Sequence, residues 1–225
     1  MMDGWMVILL PFTLLLGRVG AFMMVLPMFG WSMLPRRLRA GIAVMMSLFF
    51  AAVRPPEVDS AALGWMAALL MLVQEILLGI ALALAVHLVF LAVKQGGRII
   101  KLTMGLGDAG ILDPVTGASD DALGSFFEIA FVLLLLTADV HHLFLMLISR
   151  SYDVFPAGAA VNFGGLAAAI VHSGSMMLLT ALKVAAPLMA VFLALSVVLA
   201  VMARVLPEMN VLMTSFPLRV GVGLL

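Results

Sequence analysis

The stretch that decides the fold is residues 61–93, AALGWMAALLMLVQEILLGIALALAVHLVFLAV. It runs 33 residues with Glu75 as its only formal charge. About 20 apolar residues suffice for a helix to cross a bilayer, so this one is long even for a membrane span. It contains no Pro, and its apolar residues do not alternate with polar ones, so it reads as a helix rather than a barrel strand. Glu75, Gly79, Ala83 and His87 follow at four-residue steps and share one helix face. Small and polar residues in such a stripe let a second helix approach closely and give polar groups a partner. A packing seam is therefore expected, with a proton relay through Glu75 and His87 as the sharper alternative.

Other apolar stretches lie on either side. Residues 5–29 contain Pro11, Arg18 and Pro27; residues 40–53 are short for a lipid span; residues 123–149 carry Glu128, Asp139, His141 and His142. Residues 165–205 run 41 residues with Lys183 and Pro187, which predicts a tall kinked helix or a short helix followed by a long one. Residues 211–225 are apolar to the last position, as expected of an incomplete piece of chain. The start, MMDGWMVILL, lacks the basic residue that precedes the apolar run of a signal peptide, so the first stretch reads as a retained helix.

Composition supports this reading. Hydrophobic residues make up 65% and charged residues 11%, whereas a soluble domain has about a quarter charged. The 225-residue chain has no net charge and no Cys. This excludes a basic nucleic-acid binder, a disulfide scaffold and thiolate chemistry. The class implied is an all-α integral membrane protein. Between the stretches, Lys and Arg number seven on one set of alternate sides and two on the other, which would place the N-terminus outside.

Four features could carry function. Residues 94–124, KQGGRIIKLTMGLGDAGILDPVTGASDDALG, hold 7 of the 20 glycines, which predicts irregular backbone there. That segment is either a solvated loop or a mobile element lining a conduit. Isolated charges at Arg18, Glu128 and Lys183 need a partner or water; for Arg18, mid-stretch, a buried carboxylate is expected. Asp139-Val140-His141-His142 is a weak metal candidate. Adjacent histidines diverge by about 100° on a helix; Asp139 and His142 could share a face, but no fourth ligand is suitably spaced, so helix-end or interface histidines are expected and no metal is assigned. Finally, Ala186, Ala190 and Ala194 form a second small-residue seam, for packing within the chain or against a partner. The 19 methionines read as core filler. No phosphate loop or nucleophile–base pair is visible, so no catalytic residue and no cofactor is assigned.

In order along the chain, these landmarks resemble the FliR family, the R subunit of the flagellar type III export gate, whose injectisome counterpart is SctT. The residues are Arg18, Pro27, Pro35 and Arg39; Gln74-Glu75-Ile76-Leu77-Leu78-Gly79; Gly97, Met104-Gly105, Asp113-Pro114 and Gly117; His141-His142, Ser151, Pro156 and Gly158; Ala185-Ala186-Pro187; and Arg204, Pro207-Glu208-Met209-Asn210 with Phe216-Pro217-Leu218. Departures are Thr103, Val140, Glu208 and Ser215, standing where Gln, Gly, Gln and Gly are usual.

The resemblance implies long helical hairpins: a FliP-like part over residues 1–165 and a FliQ-like hairpin over 166–225. The plug of the channel would lie within residues 94–122, shaped by Met104, Gly105, Gly107, Gly110, Asp113, Pro114 and Gly117. Arg18, Glu75, Gly79, Ala83, His87, His141, His142, Pro187, Asn210 and Pro217 would serve helix packing. Implied partners are FliP-type and FliQ-type subunits in a mixed complex holding one copy of this chain, then FlhB, FlhA, membrane lipid and unfolded flagellar proteins in transit, with no nucleic acid. The implied place is the bacterial inner membrane at the flagellar basal body. The alternatives are an injectisome gate subunit, an assembly scaffold that forms no pore wall, and an ion-coupled transporter using Glu75, Glu128, Asp139 and Lys183.

Overall fold

A computed structural model of the chain describes residues 3–27, 35–53, 64–105, 122–205 and 211–224. Among these the regular structure is entirely helical: α1 (Asp3–Val25), α2 (Arg36–Val53), α3 (Trp65–Thr103), α4 (Ala122–Thr137), α5 (His141–Val154), α6 (Phe163–Val205) and α7 (Val211–Leu224). Helices α3 and α6, of 39 and 43 residues, are each long and apolar enough to cross a membrane. Both exceed the roughly 20 residues a bilayer needs.

The chain forms two compact units, one of residues 1–89 with 134–174 and the other of residues 90–133 with 175–225. In the first, Leu15, Val19, Phe22 and Leu26 recur at helical spacing along one face of the α1 segment. They pack with Ala43 and Phe50 of α2, Ala83 of α3 and Ile148 of α5. In the second, Ile100 of α3, Met104 just beyond it, and Ala185 and Phe192 of α6 form the core, flanked by Phe127 of α4 and Val222 of α7.

Two sequence expectations change. Residues 94–103 belong to α3 rather than to irregular backbone. Gly96 and Gly97 are tolerated inside the helix because neighbours need the room. A Cβ on Gly96 would meet Val184 of α6 at 3.0 Å, and one on Gly97 would meet Phe127 at 2.8 Å and the Gly124 Cα at 3.1 Å. Tertiary contact here outweighs the roughly 1 kcal/mol helix penalty of each glycine. The basic residues Lys94, Arg98 and Lys101 accordingly sit on a helix, which removes one loop from the charge count.

The apolar run 123–149 is broken. Helix α4 ends in a Schellman motif: the Asp139 N–H donates to the Leu136 carbonyl at 3.2 Å and the Val140 N–H to the Leu135 carbonyl at 3.0 Å. Asp139 takes the left-handed position, with φ 55°. Val140 is right-handed at φ −64°, a conformation a β-branched residue adopts without strain.

Helix α6 is one tall helix, continuous through Pro187, rather than a short helix followed by a long one. Its buried face is Ala181, Ala185, Phe192 and Leu199. The seam residues Ala186, Ala190 and Ala194 are exposed, as is Pro187.

Candidate functional site

Two places gather polar or small residues for a reason. The first is a buried ion pair in unit one. Arg18 of α1 and Glu75 of α3 have side chains 1% and 2% exposed. The Arg18 Nε donates to Glu75 Oε2 at 2.6 Å and Nη2 donates to Oε1 at 3.0 Å, a two-pronged pairing. The third prong, Nη1, reaches the Ser151 Oγ of α5 at 3.3 Å. The guanidinium carbon also stands 4.0 Å from the centroid of the Tyr152 ring, a cation–π arrangement. Glu75 Oε1 accepts a second bond, from the Gly158 N–H at 2.9 Å.

Gly158 has φ 78° in a turn closed by the Ala159 N–H on the Pro156 carbonyl at 3.0 Å. It occupies the third position of that turn, where a type II turn requires positive φ. One charge pair thus ties together α1, α3, α5 and the turn after α5. Burying two charges costs several kcal/mol per ion unless their hydrogen bonds are met. Here the bidentate pair, Ser151 and Gly158 meet most of them.

The stripe on α3 lies beside this pair. Gly79 is buried, and a Cβ there would collide with the Arg18 carbonyl oxygen and meet the Ala21 Cβ at 3.0 Å. Ala83 is fully buried in the core of the unit. The Nδ1 of His87 is buried without a hydrogen-bond partner among the described residues.

The second place is the stem of the glycine-rich segment, in unit two. Phe90 packs edge-on against Phe131 with centroids 5.3 Å apart. The Lys94 Nζ pairs with Glu128 Oε2 at 2.9 Å, and Gly97 faces Gly124. As one residue number rises the other falls, so the end of α3 and the start of α4 run antiparallel, joined by residues 106–121.

At the tip of α3, Gly105 has φ 80° and its N–H donates to the Leu102 carbonyl at 3.1 Å, ending the helix. Met104 is 1% exposed and lies against Gly223 of α7. Arg219 of α7 donates to the Thr103 carbonyl at 3.2 Å and to the Ser196 Oγ of α6 at 3.1 Å. Gly107, Gly110, Asp113, Pro114, Gly117 and Asn210 lie outside the described residues. Pro217 lies within α7 and is exposed.

Several of these partners escape a sequence reading. Arg219 is a lone charge in an apolar run, the same signal that marks Arg18, and that signal alone could have found it. Tyr152 is the chain's only tyrosine, but nothing in its neighbourhood in sequence points to Arg18. The acids and lysine considered for transport are dispersed in role: Glu75 pairs with Arg18, Glu128 with Lys94, while Asp139 and Lys183 are exposed.

With this geometry in view, comparison with known proteins identifies the class. Residues 9–225 match the model of bacterial export proteins, family 1, and the chain belongs to that family, the one its motifs resemble. The flagellar biosynthetic protein FliR of Bacillus subtilis strain 168 is 30% identical over 219 residues, covering 94% of this chain and 82% of that protein. FliR of Escherichia coli K12 is 30% identical over 207 residues, 92% of this chain and 78% of that one. FliR of Pectobacterium carotovorum is 27% identical over 208 residues, 92% and 79% respectively.

Proposed function

We propose that the chain is a non-enzymatic subunit of the flagellar type III export gate in the bacterial inner membrane. The observation that carries this reading is similarity along nearly the whole chain to proteins named for flagellar biosynthesis, within a family of export proteins. In this reading the chain joins FliP-type and FliQ-type subunits around a conduit for unfolded flagellar proteins, near FlhB and FlhA at the basal body. Residues 1–165 play the FliP-like part and residues 166–225 the FliQ-like part. The glycine-rich segment between α3 and α4 closes the conduit at rest.

The chain's surface fits assembly with partners. Helix α6 exposes Val191, Leu193, Val197, Val198 and Val201, together with Ala186, Ala190 and Ala194. Exposed apolar surface on this scale calls for lipid or another helix, and the small residues permit close helix approach. The stem supports the closing role by fixing both ends of the glycine-rich segment while leaving its sequence rich in residues free to change backbone angle.

The test uses the absence of Cys from the chain. A single cysteine introduced between residues 107 and 117 is expected to crosslink to an export substrate stalled in transit. A cysteine at exposed Val171 serves as the comparison. Crosslinking no stronger than at Val171 would overturn the closing role and favour a pure scaffold.

A further inference from the structure

The break between α4 and α5 brings His141 near Asp139 and His142, two residues that helical spacing alone would already place on one face. Asp139 takes the left-handed conformation two residues before His141 and His142 begin α5, and its Oδ1 stands 4.0 Å from the His141 Nδ1. The two imidazole rings stand 4.2 Å apart at their centroids, tilted by 35°. One ligand atom from each of Asp139, His141 and His142 lies within 4.8 Å of the other two.

The His141 Nδ1 is the telling atom. It is buried and has no hydrogen-bond partner among the described residues. The Asp139 Oδ1 is 4.0 Å away. That is beyond the roughly 2.7–3.2 Å of a hydrogen bond. Two tetrahedral ligands that each hold an ion at about 2.0–2.2 Å stand roughly 3.3–3.6 Å apart, so the pair has only to close by a few tenths of an ångström to share one. Asp139 is 76% exposed on its side chain, so it can close on an ion without disturbing packing.

We propose that Asp139, His141 and His142 form a binding site for a divalent transition-metal ion, of which Zn2+ is the representative. Two imidazole nitrogens and one carboxylate oxygen suit zinc and its first-row neighbours, and disfavour Mg2+ and Ca2+, which take oxygen ligands. Three protein ligands leave one tetrahedral position for water. A bound ion would link the residue that ends α4 to the first turn of α5 and hold the break in one geometry.

The test titrates Zn2+, and Co2+ as a spectroscopic stand-in, into the full chain purified in detergent without a histidine tag. One equivalent is expected to bind, with visible Co2+ absorption of a four- or five-coordinate site and a rise in thermal midpoint. Asp139→Asn keeps a residue that tolerates the left-handed conformation, so it should fold. It is expected to lose at least the roughly tenfold in affinity that even an outer partner costs, and His142→Gln likewise. His87→Gln and His172→Gln should change nothing. Binding that persists unaltered in Asp139→Asn and His142→Gln, or no saturable binding by the folded wild-type chain, would overturn the site.

Discussion

Arg18 and Glu75, 57 positions apart in sequence, form a two-pronged ion pair sealed from solvent between α1 and α3. Its neighbours bring α5 and the following turn into the same hydrogen-bonded group. Removing one partner leaves a buried charge without its counterion, which typically costs about 3–5 kcal/mol. Glu75→Gln and Arg18→Met should therefore each lower the thermal midpoint of the purified chain sharply. Arg18→Met combined with Glu75→Leu should recover much of that loss, because an apolar pair has no charge to desolvate. Arg18→Lys should not rescue, since an ammonium cannot make the bidentate contact. Single variants as stable as the wild type would contradict the pairing.

The closeness of α1 and α3 rests on Gly79. Its absent side chain makes room for backbone, the Arg18 carbonyl, which cannot swing aside as a side chain can. Gly79→Ala should destabilise by about 1–3 kcal/mol, the usual cost of overpacking. Gly174→Ala, in α6 with nothing within 4 Å of the new methyl, should gain about 0.5–1 kcal/mol from helix propensity. Paired unfolding measurements read both signs in one experiment.

Asp139 and Val140 make opposite demands. Asp139 is left-handed and Val140 right-handed. Asp139→Gly should stabilise the helix end by up to about 1 kcal/mol, since glycine carries no penalty in that conformation. Val140→Gly should cost about 0.5–1 kcal/mol in added backbone freedom. The reverse pair of signs would mean that the turn is built the other way round.

The glycine-rich segment should be separable from assembly. Its stem is held by Lys94–Glu128, Gly97 against Gly124 and Arg219 on the Thr103 carbonyl, all outside residues 109–117. Deleting 109–117 should leave a complex that assembles but leaks ions when reconstituted. A deleted complex that stays tight would remove the segment from the closing role.

The sequence makes some of this legible and hides the rest for physical reasons. A lone arginine in an apolar run announces a buried partner, because its charge cannot stand alone there. Which acid answers it depends on how α1 meets α3, and Gly79 reveals that only once the two helices are placed. Gly96 and Gly97 look like helix breakers in isolation, yet they sit mid-helix because Val184 and Phe127 need the space. The break after Thr137 carries neither Gly nor Pro, and Asp139, which tolerates the left-handed conformation, is only a weak local signal separating α4 from α5. On α6, apolar residues surround the axis, and nothing local distinguishes the face of Ala185 and Phe192, covered within the chain, from that of Ala186 and Ala190, which is exposed.

The central claim is membership of a mixed export gate, and native mass spectrometry tests it most directly. The chain would be co-expressed with FliP-type and FliQ-type subunits of its own organism and released intact from detergent. A single copy of this chain within a large complex containing both partners is the expected result. A monomer or homo-oligomer that ignores both partners would contradict the account.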